Sequence, residues 1–133
     1  MTSRVPGLVL AVGLAGASAS AHHSIAGVYD GSQRVTIEGT VAEFQFVNPH
    51  PFVIVDVADG NAPPRRWRLE LDNRHELVAE GMNADTLKPG DRVLAIGSPG
   101  RTLPHTMYVR RLDRRSDGFR YEQVGSSPRV RRP

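Results

Sequence analysis

The sequence predicts a mainly β protein, a small OB-like barrel of five strands that is partly open and has one short helix between its third and fourth strands. Its 133 residues are enough for one small domain. Short segments of alternating or continuous apolar residues recur along the chain, separated by Gly- and Pro-containing turns. A single helix-start signal falls between the third and fourth of these segments, which favours an OB-like barrel. A small antiparallel sandwich without closure is the alternative.

The first three predicted strands follow one another with little between them. Residues 34–47 form one long strand whose apolar parity changes near residues 42–43, and this change predicts a β-bulge. Residues 52–57 are apolar on both faces, as in a buried strand. Residues 65–71 alternate cleanly between apolar and charged side chains, which is typical of a strand with one face buried.

The second half of the domain begins with the predicted helix. Asn73 and Glu76 have the spacing of a capping box, and they predict a helix over residues 74–80. Turn signals separate the later apolar segments, and the last of these signals is the Asp-Gly pair of a hairpin. Further strands are predicted over residues 92–96, 105–112 and 119–124.

Residues 1–21 have the composition of a secretory signal peptide. Arg4 is their only charged residue, an apolar stretch follows it, and small residues at 19–21 form a cleavage signature. A membrane-spanning helix needs roughly 20 apolar residues, and this stretch is shorter and interrupted by Gly and Pro. We therefore expect a periplasmic or secreted protein that begins at His22 and has no transmembrane segment after processing.

The predicted organisation has four segments: the signal peptide (1–21), an N-terminal histidine-containing segment (22–33), the barrel domain (34–124) and a disordered basic tail (125–133). The tail is expected to be disordered because it offers little to bury. Residues 110–133 hold 8 arginines and 3 acidic residues, whereas the preceding part of the mature chain is net acidic. That acidity and the few aromatic residues argue against nucleic-acid binding.

The histidines are the most unusual feature of the sequence, which has no cysteine for a disulfide, a thiolate metal site or a thiol nucleophile. An N-terminal His22 would offer an amine and an imidazole to one ion. A third nitrogen from His50 or His105 would complete the nitrogen-rich field that Cu(II) prefers, and Met107 would add a soft thioether suited to Cu(I). The predicted copper site therefore consists of His22, His23, His50 and His105, with Met107 optional.

Each of these residues also has an ordinary structural explanation. His22 and His23 fit a solvated terminus, and His50, between two prolines, fits a loop residue that hydrogen-bonds the backbone. Met107 shares the parity of Val109 and therefore fits core packing. His75, at the predicted helix start, fits an exposed residue.

No catalytic signature is found: the sequence has no Gly-rich phosphate cradle and no nucleophile with an oriented base. A metal-binding protein is therefore the first hypothesis. The second is a periplasmic interaction module that uses a barrel face or the arginine-rich end to hold a protein partner or an anionic envelope surface. The third is a copper enzyme with an N-terminal histidine brace.

Five short motifs resemble those of a family of small exported bacterial proteins catalogued as domain of unknown function 6152. They are H-H-S at 22–24, V-T-I-E-G-T-V at 35–41, N-P-H at 48–50, W-R-L-E-L at 67–71 and L-K-P-G-D-R-V at 87–93. The resemblance covers roughly residues 22–118 and implies export and a compact β-rich domain. It implies no established activity, cofactor or catalytic residue, and the arginine-rich end departs from the family pattern.

Overall fold

The structure, a computed structural model, describes residues 24–133 of the chain, so the predicted signal peptide and His22 and His23 lie outside the described residues. The elements in chain order are α1 (Ile25–Val28), β1 (Val35–Gln45), β2 (Phe52–Asp59), β3 (Ala62–Glu70), α2 (Arg74–Ala79), β4 (Arg92–Pro99), β5 (Thr106–Arg114), β6 (Phe119–Val124) and β7 (Ser127–Arg131). None of the helices in this part of the chain is long and apolar enough to cross a membrane.

Five of the strands close into a ring. The sheet order is β3-β2-β1-β4-β5-β6-β7, and β3 also pairs with β5 in parallel. That closing contact is short, running from Arg68 opposite Thr106 to Glu70 opposite Tyr108, whereas all the other pairings are antiparallel. The predicted fold class is confirmed, because a ring of β1 to β5 with α2 between β3 and β4 fits an OB-like, partly open barrel.

The predicted bulge lets β1 serve two neighbours. Its pairing with β2 shifts register between Val41 and Glu43, as expected from the sequence. The N-terminal part of β1 pairs with β4 and the C-terminal part with β2. Because a bulge bends and twists its strand, one continuous strand can follow the ring from one neighbour to the other.

The core fills the ring with alternate side chains of the strands and is capped by α2. Asn73 accepts a hydrogen bond from the His75 N–H at 2.8 Å and so starts α2, which directs Leu77 into the core. The largest fully buried side chains are Val41, Val53, Val55, Leu69, Leu71, Leu77, Leu87, Met107, Val109, Leu112, Phe119 and Tyr121.

The prediction of a disordered tail over residues 125–133 is wrong, because Ser127–Arg131 forms β7 and pairs with β6. Gly125 takes a positive φ of 61° in the turn between the two strands. Pro128 is buried and Val130 packs against the core, so two apolar side chains at alternate positions are enough to hold this otherwise polar strand.

Asp113, on β5, is a buried carboxylate between two arginines. It accepts hydrogen bonds at 2.6 Å from Nε of Arg111 and from Nε of Arg120. Burial favours the neutral acid, but these hydrogen bonds outweigh it and hold the pKa of Asp113 below its ordinary value.

We expect Asp113→Asn to lower the free energy of unfolding at pH 7 by about 1–2 kcal/mol, a modest loss because both arginines are partly exposed. The folded-state pKa lies below the unfolded value of about 3.9, so this contribution is present above that pH and is lost as the pH falls through the folded-state pKa. Urea unfolding at pH 7 and pH 3 measures the gap between wild type and variant. A gap of equal size at both pH values would contradict the prediction.

Candidate functional site

His50, in the loop between β1 and β2, forms a short contact with a carboxylate on β3. Its Nδ1 lies 2.7 Å from Oε1 of Glu70, and the two side chains are only 17% and 16% exposed. The loop is fixed from the other side, because the Pro49 carbonyl accepts a hydrogen bond from the Arg74 N–H at 2.9 Å. The imidazole is therefore held in one orientation by its surroundings.

The second oxygen of the same carboxylate holds the N-terminal segment. The Tyr29 hydroxyl donates to Oε2 of Glu70 at 2.6 Å, and Tyr29 is 5% exposed. Burial and this hydrogen bond raise the pKa of Tyr29 well above its usual value, so the hydroxyl stays protonated and continues to donate. Glu70 thus joins His50 and Tyr29, which are 21 positions apart in the sequence.

The segment around Tyr29 is also fixed by backbone hydrogen bonds to the turn that follows β4. The Asp30 N–H donates to the Pro99 carbonyl at 2.8 Å, and the Arg101 N–H donates to the Val28 carbonyl at 2.9 Å. The stretch from Ser24, the first described residue, through α1 to Asp30 is therefore docked along the outside of the ring.

A cavity of about 360 Å³ lies beside this docked segment. Ile25, Ala26 and Tyr29 form part of its wall, with Tyr108 and Arg110 of β5 also lining it. The guanidinium carbon of Arg110 lies 5.1 Å from the Tyr108 ring centroid, and Nε of Arg110 is buried without a hydrogen-bond partner among residues 24–133.

His105 lies elsewhere along β3, immediately before β5. Its backbone has a φ of 54°, in the left-handed region, and its carbonyl accepts from the Arg68 N–H at 2.9 Å. Its ring packs edge-on against Trp67 with 5.3 Å between centroids, and its Nε2 is 3.4 Å from Nη1 of Arg65. A guanidinium beside this ring nitrogen disfavours a bound cation, so the contacts of His105 set it apart from His50.

Met107 is fully buried in the core cluster, and core packing accounts for it without a ligand role. Within residues 24–133, no three or more His, Cys, Asp or Glu side chains gather where they would hold a metal ion. A metal at His50 would therefore need donors from outside this part of the chain, where His22 and His23 lie.

Sequence reasoning missed Tyr29 and Glu70, the two partners that organise this site. Alternation in W-R-L-E-L places Glu70 on the outward face of β3 together with Arg66 and Arg68. That pattern is typical of solvated charges, and no local spacing links Glu70 to residues 20 or 41 positions away.

Comparison with known proteins shows a family and a distant similarity to a solved structure. A comparison with curated proteins finds no match. Among solved structures, the chain is similar to one in a crystal structure of a complex of TiaS, a transfer RNA and ATP, with 13% identity and a TM-score of 0.46. The alignment covers 76% of this chain and 28% of that one, so this chain spans less than a third of that protein's length. The model of a family of unknown function, DUF6152, matches residues 10–107, and the chain therefore belongs to that family.

Proposed function

We propose that this chain is an exported binding protein that holds a divalent transition metal, copper, between His50 and the N-terminal histidines His22 and His23. The observation that carries the proposal is the 2.7 Å contact between Nδ1 of His50 and Oε1 of Glu70. When Nδ1 donates its proton to an ionised carboxylate, the lone pair is left on Nε2, the atom that would bind the metal. Histidines that ligate metals are commonly oriented by a carboxylate in this way.

The docking of the N-terminal segment supports the contribution of His22 and His23. His23 precedes Tyr29 by six positions, so an extended chain between them spans at most roughly 20 Å. Tyr29 is bound to the same carboxylate that orients His50. The chain length therefore limits His23 to roughly that distance from Tyr29, whose hydroxyl contacts the carboxylate that orients His50.

The donor set favours copper over the other common metals. The chain has no cysteine, so it offers no thiolate for structural zinc. The terminal amine and imidazole of His22 with the imidazole of His50 provide the nitrogen field that Cu(II) prefers. Because Met107 is buried and His105 adjoins Arg65, we assign the site to the nitrogen atoms of His50 and the N-terminal histidines.

Titration with Cu(II) tests the contribution of the terminus. Protein beginning at His22 is compared with the same protein acetylated at its N-terminal amine, in the presence of a weak competing chelator. We expect one-to-one binding that acetylation weakens by about tenfold or more, because an acetylated amine no longer closes the chelate ring. Equal affinity for the two forms would overturn the terminal site.

Alanine substitutions test the contribution of His50 in the same titration. We expect His50→Ala to weaken Cu(II) binding without unfolding the domain, and His75→Ala, at an exposed histidine of α2, to leave the affinity unchanged. Equal effects of the two substitutions would remove His50 from the site. If the protein beginning at His22 cannot compete with the chelator for Cu(II), the proposal is overturned and an interaction module is favoured. Its partners would then be captured in the presence of chelator.

A further inference from the structure

A second cavity, of about 370 Å³, opens on the outward face of β4, β5 and β6 and shares no lining residue with the His50 site. Its walls combine apolar side chains, including Leu94 and Ile96 of β4, with an unusual number of guanidinium groups. The arginines that line it are Arg111, Arg114, Arg115, Arg120 and Arg131.

The strand register brings Arg111, Arg120 and Arg131 to one face. Leu112 and Tyr121 pair across β5 and β6 and point into the core. Their neighbours in the sequence therefore point outward, and Asp113, Arg120 and Arg131 form one row across β5, β6 and β7. Arg120 and Arg131 are direct cross-strand partners, and like charges placed opposite each other are destabilising.

Much of the hydrogen-bonding capacity of the cavity is unused. Asp113 accepts from Nε of Arg111 and Nε of Arg120, which leaves their terminal Nη groups without a partner among the described residues. Side chains of Arg115 and Arg131 form no ion pair or hydrogen bond within residues 24–133. Arg111 and Arg120 are thus held in position by a carboxylate that does not saturate them.

Arg114 differs from the others because its charge is already compensated. It pairs with Asp91 at 2.6 Å and with Asp117 at 2.8 Å. In the ion pairs of the described residues, these five arginines have three carboxylate partners, Asp91, Asp113 and Asp117, so this set carries two more positive than negative charges. A dianion would neutralise that excess.

We propose that this cavity binds a phosphate group carried by a small phosphorylated molecule or by a lipid headgroup. Guanidinium groups match the geometry of phosphate oxygens and bind them through paired N–H donors. Arg111 and Arg120, positioned by Asp113, form the fixed part of the site. Arg115 and Arg131 supply charges that no carboxylate of the described chain neutralises. The cavity volume falls within the range usual for small-ligand pockets.

Calorimetric titration with inorganic pyrophosphate tests the proposal on the full mature chain at fixed ionic strength. The test variant is Arg115→Gln/Arg131→Gln, chosen because neither arginine takes part in an ion pair within the described chain. The control is Arg65→Gln/Arg66→Gln, which removes the same charge from two exposed positions of β3. We expect wild type and control to bind alike and the test variant to bind about tenfold more weakly or worse, because two charge-assisted contacts are lost.

A second arm distinguishes the two sources of phosphate. Sedimentation with phosphatidylglycerol vesicles, with and without pyrophosphate, follows the same three proteins. If the wild type binds the vesicles, pyrophosphate displaces it and the test variant does not bind, the ligand is a lipid headgroup. If the wild type binds pyrophosphate but not the vesicles, the ligand is a soluble molecule. Equal losses in the test and control variants would show general charge attraction and overturn the site. Absence of binding in both arms would overturn it as well.

Discussion

Replacing Gly97 with alanine is expected to destabilise the domain by about 3 kcal/mol or more, because the new methyl group would overlap backbone as well as side-chain atoms. A Cβ at this position would meet the Tyr108 carbonyl oxygen and lie 2.5 Å from Cγ and 2.7 Å from Sδ of Met107. Met107 is fully buried and Tyr108 belongs to the closing strand β5, so neither can withdraw without disturbing the ring.

Urea unfolding of wild type, Gly97→Ala and Gly31→Ala measures this effect. Gly31 is the matched control, because a Cβ there meets no atom within 4 Å and its φ is not in the left-handed region. We expect the midpoint of the Gly31→Ala transition to stay close to that of wild type and the midpoint of Gly97→Ala to fall sharply. Similar midpoints for the two variants would contradict the prediction, because they would show that β4 and β5 can move apart to accept the new methyl group.

Replacing Glu70 with glutamine is expected to lower the affinity for Cu(II) roughly 10- to 100-fold, the range found when a carboxylate that orients a metal-binding histidine is removed. In the wild type, His50 contacts one carboxylate oxygen of Glu70 and Tyr29 donates to the other. Glutamine keeps the shape of the side chain but has only one acceptor oxygen. Its amide group must therefore leave at least one of the two without its acceptor, and the orientation of His50 or the docking of Tyr29 is lost.

Two measurements separate these effects. Competition titration with Cu(II) gives the affinity, and the ring nitrogen shifts of His50 in NMR spectra report whether Nδ1 still holds the proton. Glu43→Gln, at an exposed carboxylate of β1 without an ion pair in the described chain, controls for the loss of one negative charge. If Glu70→Gln alters the His50 tautomer and leaves the Cu(II) affinity at the wild-type value, His50 is oriented by Glu70 but is not a ligand.

Local patterns were sufficient to predict most of the ring. The alternation in β1 and its parity change located the bulge, and the capping pair Asn73 and Glu76 predicted residues 74–80 as a helix where α2 spans Arg74–Ala79. The third strand was predicted to begin at residue 65, yet β3 already begins at Ala62 and includes Pro63 and Pro64. Both prolines are tolerated because the register with β2 shifts between Val57 and Asp59, which leaves Pro63 and Pro64 out of that ladder, and β5 pairs with β3 only from Arg68 onward.

The parts that sequence reasoning could not supply depend on distant contacts. β7 is held by the packing of Val130 on a core that the tail sequence does not reveal. Glu70 has a role in the site because Tyr29 and His50 contact its two carboxylate oxygens, and only the tertiary structure brings them there. The histidines were identified by residue type, but the docked N-terminal segment that supports a link between His50 and the terminus became visible only in three dimensions.

The closure of the ring also has a consequence for the rate of folding. β2, β3 and α2 separate β1 from its partner β4 in the sequence, and α2 and β4 separate β3 from its partner β5. Closing such long loops costs chain entropy before the contacts repay it, so a high contact order and folding over milliseconds to seconds are expected. β6 and β7 add by short local hairpins, and a nascent chain ending before β5 would expose the unpaired edge of β3.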